Sequence, residues 1–88
     1  MKIEDLYNEL VALAKSCGVT IRREQGNFRG SHCLLRDQKI ILVNKNSSFE
    51  TAASIVARSL LQIIDIEQVF LSPALRNFMN REMERNKR

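Results

Sequence analysis

Three features of the sequence predict an α+β fold made of an N-terminal helix, a three-stranded antiparallel meander, a central core helix and a C-terminal helix. Residues 49–64 carry an unbroken helical stripe of apolar side chains. Residues 19–44 hold three short runs rich in Val, Ile and Leu with turn residues between them. Apolar residues also recur at helical spacing near both ends. A chain of 88 residues buries about 60–65% of its unfolded surface, enough for one core and no second, so residues 1–88 are expected to form a single domain.

Taken in order, Ile3, Leu6, Tyr7, Leu10, Leu13, Ala14 and Cys17 define the first helix, and Gly18 stands where a left-handed residue ends it. Val19 to Glu24 alternates and is β-branched, which makes it an edge-like strand with Val19 and Ile21 inward. Gly26 and Gly30 bracket a turn that contains Asn27, Phe28 and Arg29. Two strands follow, Ser31 to Arg36 and Lys39 to Asn44, joined through Asp37-Gln38 as a hairpin. Alternation puts Cys33 and Leu35 on one face of the first and His32, Leu34 and Arg36 on the other. Ile40-Ile41-Leu42-Val43 is apolar on both sides, the pattern of a central strand.

In the central helix Phe49, Ala52, Ala53, Val56, Ala57, Leu60, Leu61 and Ile64 form the buried stripe, and Ser47 with Glu50 reads as a capping box at its start. Its polar face offers only Glu50, Thr51, Ser54, Arg58, Ser59 and Gln62. Ile66, Val69 and Phe70 suggest a further helical turn. Ser72-Pro73 then supplies an N-cap and a proline at the first helical position, opening a last helix with the stripe Leu75, Phe78, Met79 and Met83. Residues 84–88 are expected to be a frayed, charged tail.

Composition narrows the function classes. Hydrophobic residues make up 44% and charged residues 27%, which is a globular rather than a disordered balance. Acids interrupt the N-terminal segment and no apolar run reaches membrane-spanning length, so the expectation is a cytoplasmic protein without membrane contact. Cys17 and Cys33 form no Cys-x-x-Cys pair and are expected to be free thiols that pack as small apolar residues. The net charge of +4 is unevenly spread: residues 19–45 hold six basic against two acidic side chains, and residues 72–88 hold five against two.

A strand ending in Ile40-Ile41-Leu42-Val43-Asn44, a short polar turn containing Ser47, and a helix with Ala57 at mid-length resemble the minimal zincin metallopeptidases of the ImmA/IrrE type over roughly Gly18 to Gln62. In that family the layout leads into Ala-His-Glu-x-x-His. Here Arg58, Ser59 and Gln62 stand where the resemblance would place the first zinc ligand, the general base and the second ligand. Two imidazoles and a carboxylate are needed to hold zinc and activate its water, and none is present. The resemblance therefore implies a metal-free, cofactor-free, non-enzymatic relative that kept a scaffold. The chain also looks like short bacterial proteins of unassigned function that share a Gly-x-x-Cys segment and Leu71-Ser72-Pro73-Ala74-Leu75-Arg76.

Other chemistry is thin. His32 and Cys33 are adjacent, and in an extended strand adjacent side chains point to opposite faces, so they cannot form a nucleophile pair. Two binding readings remain. In one, the chain is a protein-interaction module or homodimer, with Phe28, Arg29, Arg36 and Arg58 as contacts and the Met-containing C-terminal stripe as added surface. In the other, the basic side of the meander binds nucleic acid through Arg22, Arg29, Arg36, Lys39 and Lys45, with Arg23 nearby and Phe28 free to stack on a base. Basic residues on strand edges also discourage sheet-to-sheet aggregation without binding anything.

Overall fold

The computed structural model describes residues 2–26, 30–35 and 38–86, with residues 30–35, 38 and 86 described by their backbone only. The order of elements is α1 (Ile3–Ser16), β1 (Val19–Glu24), β2 (Gly30–Leu35), β3 (Gln38–Asn44), α2 (Phe49–Ile63), a 3-10 turn (Ile66–Gln68) and α3 (Pro73–Asn86). The α+β class, the three helices, the central place of β3 and the edge place of β1 are as the sequence predicts; the antiparallel meander is not.

Helix α1 places Glu4 and Asp5 in its first turn and Lys15 in its last, each at the end of the helix dipole that favours its charge. Cys17 closes it, its N–H donating to the carbonyls of Leu13 (3.1 Å) and Ala14 (3.0 Å). Gly18 follows at φ 76°, a conformation that costs a residue with a Cβ about 1–2 kcal/mol. The chain thereby reverses directly into β1.

The three strands lie in the order β1-β3-β2. β1 runs parallel to β3 in a register that sets Ile21 beside Ile41 and Arg23 beside Val43. β2 is antiparallel to β3, with Cys33 opposite Ile40 and Leu35 opposite Gln38. The antiparallel meander is therefore corrected to a mixed sheet in which the segment containing β2 is the crossover between two parallel strands. The physical reason lies in β3 itself. Ile41 and Val43 are fully buried toward the helices and Ile40 is buried as well, so this strand belongs in the middle, and the half-polar β1 is left at an edge. Asn44 fastens the exit of the parallel pair: its side-chain amide donates to the carbonyl of Gly26 (2.8 Å) and its Oδ1 accepts from the N–H of Asn46 (2.9 Å).

The core lies between the sheet and helices α1 and α2, with Leu10, Ala14, Ile41, Val43, Ala52, Ala53, Val56, Ala57 and Leu60 sealed from solvent. Helix α2 starts one residue away from its expected cap. Ser48, not Ser47, is the N-cap, and its Oγ accepts from the N–H of Thr51 (3.2 Å) while donating to the Thr51 hydroxyl (3.2 Å). The predicted reciprocal box with Glu50 is replaced by a Ser–Thr pair.

Beyond α2, Ile66 is buried and Phe70 is 91% exposed. The 3-10 turn stops at Gln68 and the backbone extends through Val69 (φ −124°, ψ 152°), so the helical period that grouped Phe70 with Ile66 is lost. Ser72 caps α3 as expected, its Oγ accepting from the N–H of Leu75 at 3.2 Å. Its hydroxyl proton goes to Glu9 Oε1 of α1 at 2.8 Å. Leu75 and Met79 are buried, Phe78 and Met83 partly so, and the helix continues through Asn86 into the segment expected to fray.

Candidate functional site in the cleft between α2 and α3

Helix α2 presents two different surfaces. Its Ala, Val and Leu stripe packs into the core, while Glu50, Ser54 and Arg58, spaced four residues apart, line up along the side that meets α3. Helix α3 faces them with Phe78, Arg81, Glu82 and Arg85, again at steps of three and one. Ile3 and Leu6 of α1 close one end. Together these residues line two joined depressions. One of about 400 Å³ is lined by Ile3, Leu6, Glu50, Ser54, Phe78, Arg81, Glu82 and Arg85. The other, of about 220 Å³, is lined only by polar side chains: Glu50, Thr51, Ser54, Arg58 and Arg85.

Glu82 is the electrostatic centre of the cleft. It is only 3% exposed, and a buried carboxylate needs a charged or hydrogen-bonding partner to be tolerated. Two guanidinium groups supply it. Arg58 Nε lies 3.9 Å from Oε2, and Arg85 Nη1 lies 3.4 Å from Oε1. Both separations exceed the roughly 2.7–2.9 Å of a well-made charge-assisted hydrogen bond. The arginines remain partly exposed, at 39% for the Arg58 side chain and 68% for that of Arg85. Arg81 is held differently, its guanidinium carbon 5.8 Å from the centre of the Phe78 ring.

Two polar atoms of this cleft are buried without a hydrogen-bond partner, Glu82 Oε2 and the Ser54 hydroxyl. Buried polar atoms are paired in the great majority of cases, and each orphan has a cost. Their neighbours Arg58, Arg81 and Arg85 against Glu50 and Glu82 give three positive and two negative charges, a net +1. Two guanidiniums and a hydroxyl, those of Arg58, Arg85 and Ser54, are thus hydrogen-bond donors among the side chains that line the smaller depression with Glu50 and Thr51.

Of the contact residues predicted from sequence, Arg58 lies in this cleft. Phe28, Arg29 and Arg36 lie outside the described residues. Among the described residues, the basic side chains of the sheet are not gathered into one surface. Arg22 is ion-paired with Glu24 at 3.1 Å. Arg23 turns to the opposite face, its guanidinium carbon 5.8 Å and 6.0 Å from the ring centres of Tyr7 and Phe49, which themselves meet edge-on at 5.6 Å. Lys39 and Lys45 are both exposed but stand at opposite ends of β3, about 20 Å apart by strand rise. The side chains of His32 and Cys33 are outside the described residues, while Cys17 is a half-buried free thiol packed at the core's margin.

At the positions the zincin comparison singles out, Arg58 points to α3, Ser59 is buried and Gln62 is exposed. Among the described residues no three His, Cys, Asp or Glu side chains come together in a metal-holding group, and no helix is long and apolar enough to cross a membrane. Sequence reasoning missed Ser54 and Glu82. Glu82 had a signal, because it falls four residues after Phe78 and three after Met79, both on the apolar stripe, and so sits where an apolar residue is expected. Against this geometry, neither a family model, nor a curated protein, nor a solved structure matches the chain.

Proposed function

We propose that this chain is a non-catalytic binding module whose α2–α3 cleft receives an anionic group of its partner. The observation that carries the reading is the Ser54 hydroxyl, buried and unpartnered in a depression that it lines together with Arg58 and Arg85, the two arginines that hold Glu82 only loosely. An incoming carboxylate or phosphate oxygen accepts from that hydroxyl and from Arg58 and Arg85, giving the Ser54 hydroxyl the acceptor that the fold does not supply. The absence of imidazole and carboxylate at residues 58, 59 and 62 supports a binding role rather than hydrolysis, on a scaffold whose strand, turn and helix order is zincin-like. Among the described residues, Arg22 and Arg23 are engaged on opposite faces and offer the nucleic-acid reading no comparable concentration of free positive charge.

Titration of sodium acetate and of inorganic phosphate into isotopically labelled protein, with chloride adjusted to hold ionic strength constant, tests this. Amide shifts should concentrate in residues 50–58 and 78–85 and vanish in an Arg58→Ala/Arg85→Ala double variant. A dissociation constant in the millimolar range is expected, since so small an anion gains only about 4 kcal/mol. Shifts that are absent, scattered, or unchanged in the double variant would overturn the reading.

A further inference from the structure

The two depressions of the cleft differ in chemistry, and the difference defines a ligand. The smaller is wholly polar, bounded by Glu50, Thr51, Ser54, Arg58 and Arg85. The larger shares Glu50, Ser54 and Arg85 with it and adds the apolar surfaces of Ile3, Leu6 and Phe78. Resting on the anion-binding reading above, we infer that the cleft takes a monocarboxylate carried on an apolar body, with the carboxylate between Arg58, Arg85 and Ser54 and the body against Phe78, Leu6 and Ile3.

The charge balance selects a monoanion. Three arginines against two glutamates leave one positive charge, so a carboxylate makes the site neutral while a dianion leaves it unbalanced. The apolar half selects against small inorganic ions, because Phe78 is only partly buried and its ring offers surface that an aliphatic or aromatic body would cover. The volume is also suitable: about 400 Å³ lies within the range of pockets that hold small organic molecules. The same chemistry occurs in a free organic acid and in the C-terminal residue of a peptide with a Leu or Phe side chain.

Calorimetric titration of the whole protein with acetate, 4-phenylbutyrate and 4-phenylbutyramide separates the contributions. The account expects 4-phenylbutyrate to bind roughly 30-fold or more tightly than acetate, from burial of its apolar body. It expects the neutral amide to bind at least about tenfold more weakly than the acid. Phe78→Ala should remove most of the gain of 4-phenylbutyrate over acetate. A peptide ending in Phe, compared with its C-terminal amide, separates the sources: tighter binding than 4-phenylbutyrate assigns the site to a chain terminus, and weaker binding assigns it to free acids. Acetate binding without any gain for 4-phenylbutyrate would overturn this inference and leave the anion reading standing. Failure of both acids, or binding indifferent to Arg58→Ala/Arg85→Ala, would overturn the two together.

Discussion

The two sides of helix α2 are built from the same fifteen-residue segment and solve opposite problems. Toward the sheet and α1, Ala52, Ala53, Val56, Ala57 and Leu60 are sealed completely, with small residues letting the helix approach β3 and larger ones filling the layer. Toward α3, Ser54 and Glu82 are buried almost as deeply but keep polar atoms without partners, and their arginines sit at long range. The first side is a packed interior. The second is an interior left incomplete, which is where binding chemistry is expected when stability alone does not explain the residues chosen.

Substitutions that treat the two sides alike sharpen the contrast. The largest loss is expected for Leu60→Ala, which opens a void at a fully buried position and should cost about 3 kcal/mol in denaturant unfolding. A loss under about 1 kcal/mol would show that the α2 interior collapses around the gap and is not tightly packed. Arg58→Ala leaves the buried Glu82 with one cation instead of two and should cost about 1–2 kcal/mol, discounted because Arg58 is partly exposed. Adding Glu82→Met to that variant should recover most of the loss, since an apolar side chain suits the site once the charges are gone. No recovery would mean that Arg58 stabilises through packing of its aliphatic stem. Ser48→Ala, which removes the α2 cap, should cost about 1 kcal/mol, whereas Ser47→Ala should change little, because the cap lies at Ser48.

How much of this was legible in the sequence differs between the same two sides. The core side of α2 follows from the spacing of Val56, Ala57 and Leu60, and the ends of α1 and α3 follow from Gly18 and Ser72-Pro73, because each is a local rule with a local cause. In the sheet, the central place of β3 and the edge place of β1 were legible, as the order β1-β3-β2 has them, but the parallel pairing of β1 with β3 was not. Pairing β1 with β3 depends on β3 being apolar on both faces and displacing β2 to an edge, and a chain read strand by strand defaults to neighbours in sequence. The cleft was legible in part. Arg58 was singled out by its place in α2, but its partner lies 24 residues downstream, on a helix whose angle to α2 no local pattern specifies. Ser54 read as a solvated polar residue because only the docking of α3 buries it.

The smallest stability effect accompanies the most direct test. Ser54→Ala removes a hydroxyl that no protein group satisfies, so folding should be unchanged or strengthened by up to about 1 kcal/mol. Measured in the same variant, acetate affinity should fall about fivefold to tenfold with the loss of one hydrogen bond to the anion. A stable Ser54→Ala protein that binds acetate as tightly as the unaltered chain would contradict the account.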